Sequence, residues 1–195
     1  MGVTIIATLY SYEPVIAGVT KFGADRLVLL VDKIPLKEQE EAIKKVKEAL
    51  GLYVQIDIHK TEVYDIVEVA RDVVGIIDEI DKDETIHLNV SAARKTKSLG
   101  LMFAGYARSS RIDKIVYLTK EEKKAIILPK LSFNLSNTQR KVLEYLDKND
   151  FDVKKITVST KISRATIFKT AKELKDTGFI DDEYKLTDAG KIARL

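Results

Sequence analysis

The sequence predicts an α/β domain with a doubly wound, mainly parallel sheet, followed by a small and mostly helical domain. Up to about residue 131, short apolar runs rich in β-branched residues alternate with amphipathic segments long enough for helices. This alternation is typical of right-handed βαβ units, which build a parallel sheet covered by helices. From residue 132 onward the apolar spacing becomes helical, and the net charge of +3 lies entirely in this part, with 13 basic and 10 acidic residues. We therefore expect two domains, residues 1–131 and residues 132–195.

Six runs of the first domain have the composition of strands buried in a parallel sheet. They are Val3–Leu9, Arg26–Val31, Leu52–His59, Thr85–Val90, Lys114–Leu118 and Ala125–Leu128. Helices are predicted between them from the Ser11 N-cap and Pro14 to about Gly23, and at Leu36–Leu50, Tyr64–Ile80 and Ala93–Ala107. This order of elements predicts a Rossmann-like fold for the first domain.

The second domain has the pattern of three helices and a hairpin. The predicted elements are helices at Asn137–Asn149, Val153–Val158 and Ser163–Thr177, strands at Phe179–Ile180 and Tyr184–Leu186, and a closing helix from Thr187. Ser163 is expected to cap the third helix, after a turn at residues 159–162. The domain resembles the winged helix-turn-helix of bacterial and archaeal regulators, which implies that it binds double-stranded DNA.

The third helix of this domain is predicted to read the DNA. Four residues share one face at helical spacing and should pack inward: Ile167, Thr170, Ala171 and Leu174. The outward residues combine basic side chains for phosphates and base edges with small or planar ones that permit close approach: Ser163, Arg164, Ala165, Phe168, Lys169 and Lys172. A module for dimerisation or docking alone is the alternative. The acidic hairpin tip at Asp181, Asp182 and Glu183 favours it, because carboxylates repel phosphates.

Two polar turns of the first domain form the candidate ligand site. They are Thr8–Pro14, after the first strand, and Asn89–Lys97, after the fourth, so both lie at the carboxyl edge of the sheet, where crevice ligands bind. Neither G-x-G-x-x-G nor G-x-x-x-x-G-K-[ST] occurs, which argues against the usual dinucleotide and P-loop sites. Arg94, Lys95 and Lys97 bring three cations to a helix N-terminus, which suggests an anionic ligand. A helix start with solvated cations is the structural alternative.

The run Asn89-Val90-Ser91-Ala92-Ala93-Arg94-Lys95 resembles the N-[VL]-[TS]-G-G-x-K motif of CRISPR-associated Rossmann-fold (CARF) domains. The segment Thr8–Glu13 occupies the other ligand loop of that family, and the full chain is similar in element order to archaeal CARF transcriptional regulators. The resemblance implies a homodimer in antiviral defence that binds a cyclic oligoadenylate, in particular cyclic tetra-adenylate, across its two-fold axis. The ligand-binding residues that it implies are Thr8, Tyr10, Ser11, Asn89, Ser91, Ala92, Ala93, Arg94 and Lys95, with Ser91 and Lys95 on phosphates and Ser11 on the pocket floor.

Three departures from the motif leave the ligand open. Ala92 and Ala93 replace the two glycines, which permit a closer backbone approach, and Arg94 adds a bulky cation. The alternative function is a ring nuclease that cleaves the cyclic oligoadenylate, with Ser11 and Lys95 as catalytic candidates. Such cleavage needs no metal, only in-line placement of a ribose 2′-hydroxyl and cationic stabilisation. An interaction module without a role on DNA is a third interpretation.

Composition argues against other classes of protein. Cysteine is absent and the two histidines, His59 and His87, lie in predicted strands, so we expect neither a metal site nor a cofactor. No apolar run approaches the roughly 18 residues of a membrane span. No basic leader precedes the first strand, so we expect a cytoplasmic protein without a membrane partner.

Overall fold

The structure is a computed structural model that describes residues 2–122 and 124–195. It divides into two compact units, the first ending at Ser132 and the second beginning at Phe133. Each unit has its own buried apolar cluster. Within the described residues, none of the helices is both long and apolar enough to cross a bilayer.

The first unit is a six-stranded sheet with four helices. Its strands are β1 (Val3–Thr8), β2 (Arg26–Asp32), β3 (Gln55–Thr61), β4 (Thr85–Asn89), β5 (Ile112–Leu118) and β6 (Ala125–Leu128). Its helices are α1 (Glu13–Phe22), α2 (Lys37–Leu50), α3 (Ile66–Glu79) and α4 (Lys95–Ala107). The strand order is β3-β2-β1-β4-β5-β6, with the first five parallel and β6 antiparallel to β5. The predicted α/β class with a mainly parallel sheet is therefore confirmed.

Burial explains why these runs form the inner strands. Ile5, Leu27 and Leu88 are fully buried, as expected for parallel strands with helices on both faces. Helices α3 and α4 pack closely together, because a Cβ at Gly100 of α4 would lie only 2.6 Å from the Cβ of Val69 of α3. Glycine is therefore needed at this crossing.

Several predicted boundaries are wrong: α3 begins at Ile66 rather than Tyr64, and β5 begins at Ile112 rather than Lys114. The strand expected from Leu52 begins at Gln55, because Leu52 and its neighbour lie in the exposed turn after α2. Helix α1 has Tyr12 rather than Ser11 at its N-cap, without a side-chain cap. Helix α4 begins at Lys95 instead of Ala93, because the preceding residues form a bend held by side-chain hydrogen bonds.

The second unit contains four helices and one β-bridge. The helices are α5 (Asn137–Leu146), α6 (Val153–Thr160), α7 (Arg164–Asp176) and α8 (Asp188–Ala193). Helix α5 ends before the predicted Asn149, and α6 includes the first two residues of the turn predicted at residues 159–162. Ser163 caps α7 as predicted, since its hydroxyl accepts the Thr166 N–H at 3.2 Å. The two predicted hairpin strands are reduced to a single antiparallel bridge between Ile180 and Leu186.

A tight turn explains why the hairpin stays so short. The Asp181 carboxylate accepts the N–H groups of Glu183 and Lys185, at 2.9 and 2.8 Å. Tyr184 has a φ of 63°, in the left-handed region that bulky residues avoid. Its ring stacks on Phe151, with centroids 4.1 Å apart. The stack therefore holds the end of the turn against its own unit, while Asp181, Asp182 and Glu183 stay exposed.

Candidate functional site

The topology of the first unit places a crevice between β1 and β4. The chain proceeds from β1 toward β2 and β3 on one side, and from β4 toward β5 on the other, so the strand order reverses at this pair. Ligands of open α/β sheets bind at such a switch point, outside the carboxyl ends of the strands. Two loops, residues 9–12 after β1 and residues 90–94 after β4, border it. These are the two turns selected from the sequence.

Asn89, at the end of β4, holds both loops together. Its side chain is almost fully buried, and its Nδ2 donates to the Pro14 carbonyl at 3.0 Å, which ties β4 to the start of α1. Its Oδ1 accepts the Ser91 N–H at 3.1 Å. A Cβ at Gly18 would lie 2.6 Å from Asn89 Nδ2, so α1 approaches β4 as closely as glycine allows. Both polar atoms of the Asn89 side chain are thus hydrogen-bonded within the protein.

Ser91 and Thr8 are also engaged in internal hydrogen bonds. The Ser91 hydroxyl donates to Asn89 Oδ1 and accepts the Leu118 N–H at 2.7 Å. The Thr8 side chain is fully buried and donates to the Asn89 carbonyl at 3.5 Å. Because a hydroxyl has one proton, Ser91 can donate to a phosphate only if it releases Asn89. These residues shape the floor of the crevice.

The groups open to a ligand lie on the two loops and the first turn of α4. Lys95 is exposed, Tyr10 is 52% exposed and Ser11 is half-buried. Within residues 2–122 and 124–195, neither the Ser11 hydroxyl nor the Lys95 ammonium has a hydrogen-bond or ion-pair partner. Helix α4 has no side-chain cap at Arg94 and no acidic residue in its first turn. Its first N–H groups and positive dipole end therefore remain available to an anion.

The two alanines that replace glycines differ in their surroundings. Ala92 is only 5% exposed and belongs to the buried cluster that contains Leu9 and Val15. Its methyl group packs into the core and does not narrow the crevice. Ala93 is half-buried, so its methyl group is the one that borders solvent.

A tyrosine that the sequence analysis missed positions Arg94. Arg94 Nη1 donates to the Tyr64 hydroxyl at 3.0 Å, and its guanidinium carbon lies 5.7 Å from the centre of the Tyr64 ring. Thr96 donates to the Val63 carbonyl at 2.6 Å, which fixes the β3–α3 loop against the start of α4. Tyr64 is 71% exposed and lies just beyond the carboxyl end of β3. This position, in a loop at the carboxyl edge of the sheet, is the feature of the sequence that could have identified Tyr64 as a candidate site residue.

Lys97 does not face a ligand, contrary to the prediction that it is a third cation at the helix N-terminus. Its side chain is buried and forms an ion pair with Asp32, at the end of β2. Burial lowers the pKa of Lys97, while the hydrogen bond and charge of Asp32 act in the opposite direction. The Asp32 N–H donates to Gln39 Oε1 at 3.0 Å, and Gln39 Nε2 donates to the Leu9 carbonyl at 2.6 Å. This buried network supports the first crevice loop from below.

In the second unit, α7 has one buried and one exposed face. The buried residues are Ile167, Thr170, Ala171 and Leu174. The exposed residues are Ser163 at the N-cap, Arg164, Ala165, Phe168, Lys169 and Lys172. Lys169 Nζ lies 4.0 Å from Glu173 Oε1, an exposed pair that does not hold the ammonium firmly. The exposed face is therefore basic around one aromatic ring.

The fold and crevice define a Rossmann-like α/β protein with a switch-point site suited to an anion. Residues 2–124, more than half of the chain, match the family model described as "HFX_2341_N:-like, N-terminal". The chain belongs to this family. No curated protein matches it significantly.

Solved structures share the fold at low sequence identity. Enterococcus italicus Csm6 bound to cyclic hexa-2'-fluoro-hexa-dAMP has a TM-score of 0.56 and 15% identity, over 90% of this chain and 54% of that one. Can2 from Sulfobacillus thermosulfidooxidans in complex with cyclic tetra-adenylate has a TM-score of 0.50 and 14% identity, over 97% and 62%. A type III CRISPR defence DNA nuclease activated by cyclic oligoadenylate has a TM-score of 0.52 and 13% identity, over 99% and 33%. The chain thus spans less than two thirds of each neighbour, and the likeness shows the fold.

Proposed function

We propose that this protein is a CARF-type sensor of a cyclic oligoadenylate that regulates transcription in CRISPR-associated defence. The observation that carries the proposal is an uncapped helix N-terminus at the switch-point crevice, beside Lys95 and Ser11, whose polar atoms have no partner among the described residues. A phosphodiester supplies the negative charge and acceptor oxygens that these groups lack. The three structural neighbours described above are bound to, or activated by, cyclic oligoadenylates or an analogue.

The proposed ligand contacts use polar groups that have no partner among residues 2–122 and 124–195. Lys95 and the N–H groups of the first α4 turn bind phosphate oxygens, and Ser11 donates a further hydrogen bond. Tyr10 and the Arg94–Tyr64 pair supply planar groups beside the crevice, suited to adenine faces. Thr8, Asn89, Ser91, Ala92 and Ala93 form the floor and walls. A cyclic ligand with two-fold symmetry then joins two copies of the chain as a homodimer.

The second unit is proposed to be a winged helix-turn-helix that binds double-stranded DNA through α7. Support comes from the basic exposed face of that helix, which carries Arg164, Lys169 and Lys172. The acidic hairpin tip, whose three residues are all exposed, makes no phosphate contact in this proposal. A homodimer doubles the contact, because two such helices read two half-sites.

A ring nuclease remains the second candidate because of the same free groups. Ser11 and Lys95 have no internal partner in the described chain, so both can act on a bound phosphodiester. Ser11 would orient the phosphate for in-line attack by the ribose 2′-hydroxyl, which breaks the P–O5′ bond and leaves a 2′,3′-cyclic phosphate and a 5′-hydroxyl that takes up the proton. Lys95 would stabilise the charge that develops on the phosphate.

Calorimetry with cyclic tetra-adenylate tests the sensor. A charge-assisted hydrogen bond contributes about 1.5–3 kcal/mol, so Lys95→Ala should weaken binding by about one to two decades. Lys21→Ala is the matched control: it removes an exposed lysine from the last turn of α1, at the opposite edge of the sheet. Equal losses in both variants, or no binding of any cyclic oligoadenylate by the parent protein, would refute the proposal.

Incubation with labelled cyclic tetra-adenylate separates sensor from nuclease. A ligand that stays intact over hours identifies a sensor. Cleavage without added metal that stops in Lys95→Ala and Ser11→Ala identifies a ring nuclease. Light scattering checks the homodimer, because a particle of 22.0 kDa is a monomer.

Gel-shift assays test DNA binding with duplexes from the protein's own promoter region. The apparent affinity should fall steeply with salt, as counterion release requires. Arg164→Ala with Lys169→Ala should abolish the shift while circular dichroism remains unchanged, since both side chains are exposed. Unchanged binding by this double variant would show that α7 is not the reading helix.

A further inference from the structure

An exposed aromatic ring lies in the middle of the basic face of α7. Phe168 is 56% exposed and is absent from the buried cluster of its unit. Arg164 lies four residues before it and Lys172 four residues after it, so all three follow one another along the same face of the helix. Ala165, three residues earlier, is also exposed and leaves space beside the ring. The ring therefore faces whatever the cations bind.

The side chains around Phe168 indicate which class of molecule binds the exposed face of α7. A basic face attracts polyanions, and duplex DNA combines phosphates along its rim with base edges at the bottom of the major groove. The thymine C5-methyl is the apolar group that a base pair presents there. A phenyl ring between cations that bind phosphates would meet the base edges rather than the backbone.

We infer that Phe168 is a specificity-determining residue that contacts a thymine methyl group in each half-site of the operator. The inference rests on the proposed DNA binding by α7. Phe168 contributes sequence preference and little charge-dependent affinity, whereas Arg164, Lys169 and Lys172 supply the salt-dependent affinity.

The test begins by selecting bound duplexes from a randomised pool with the full-length protein at low salt. The selected duplex is then remade with uracil in place of thymine, which removes the methyl group and keeps the base pairing. Burial of one methyl group corresponds to about a fourfold change in affinity, so we expect uracil at the contacted position to weaken binding about fourfold per half-site.

Three variants assign this effect to Phe168. Phe168→Ala should bind thymine and uracil duplexes equally, and Phe168→Leu should keep part of the difference. Val158→Ala is the matched control, because Val158 is 81% exposed on α6 and outside the α7 face. Phe168→Ala should also leave the slope of log affinity against log salt unchanged, whereas Lys172→Ala should reduce it by about one.

The outcomes separate the inference from the proposed function. A parent protein that binds thymine and uracil duplexes equally overturns the role of Phe168 and leaves DNA binding intact. A thymine preference that persists in Phe168→Ala assigns the contact to another residue and also overturns it. If no duplex is recovered even at low salt, the proposed DNA binding fails together with the inference.

Discussion

The buried ion pair between Lys97 and Asp32 makes a strong prediction about stability. The Lys97 side chain is 2% exposed and that of Asp32 is 12% exposed, so solvent compensates little when one partner is removed. Removing one member of a buried pair typically costs about 3–5 kcal/mol. For a chain of this length, that corresponds to a melting temperature lower by roughly 10 °C. We expect this loss for Lys97→Met and for Asp32→Asn.

A double substitution distinguishes charge from packing. In Asp32→Val with Lys97→Met no unpaired charge remains, and apolar replacements of buried pairs are often neutral or stabilising, so most of the lost stability should return. Lys33→Met is the matched control, because Lys33 forms an exposed pair with Glu62, 2.6 Å apart. It should melt close to the parent protein. Differential scanning calorimetry measures the parent and all four variants, and the stabilising role of the ion pair is refuted if Lys97→Met melts like Lys33→Met.

The lowered pKa of Lys97 also predicts a direction for pH dependence. Between that lowered pKa and the ordinary value of 10.5, the unfolded chain binds a proton that the folded chain does not. The contribution of Lys97 to stability therefore rises with pH across this window. The difference in unfolding free energy between the parent and Lys97→Met should therefore increase as the pH rises toward 10.5, the ordinary pKa of lysine. A difference that stays constant would contradict the burial of the ammonium.

Two further predictions concern the interior of the sheet domain. Gly18→Ala should destabilise the protein by about 1–3 kcal/mol and weaken ligand binding, because the new Cβ would displace the Asn89 amide. Gly75→Ala should instead stabilise the protein by about 1 kcal/mol, because a Cβ at this position on α3 meets open space and alanine favours the helix. Urea unfolding of both variants measures this contrast. Burial lowers the pKa of His87, against the opposing charge of Asp113, so stability should fall as pH drops below 6.5. His87→Phe should flatten that dependence in urea titrations at several pH values.

Local sequence patterns predicted the strands and helices because each buried run has its own apolar spacing. The boundaries that failed depend on contacts between distant residues. Helix α4 begins two residues late because Ser91 is held by Asn89 and by the Leu118 N–H, 27 residues away. The hairpin strands are short because Asp181 closes the turn, which propensity alone does not reveal.

The two crevice loops could be placed from sequence more accurately than the contacts of their side chains. Both crevice loops follow buried strands, and that order alone places them at the carboxyl edge of the sheet. The burial of Lys97 depends on Asp32, 65 residues away, and the placement of Arg94 depends on Tyr64, 30 residues away. Pairs of residues so far apart produce no periodic pattern in the sequence. The sequence therefore could not show that Lys97 is buried while Arg94 and Lys95 lie beside the crevice.

The hydrogen bonds inside the crevice decide which residues can recognise a ligand. Asn89 and Ser91 form side-chain hydrogen bonds within the protein, so in the proposed sensor their role is to preorganise the loops. The proposed recognition therefore uses Lys95, Ser11 and the first N–H groups of α4, which have no side-chain partner among residues 2–122 and 124–195. The Ala92 methyl group does not obstruct ligand binding, because it packs into the core, at a position where the CARF motif has glycine. Alanine in place of glycine restricts the backbone of this loop. The restriction is compatible with ligand binding because hydrogen bonds to the rest of the protein already fix the loop, which lowers the entropy cost of binding.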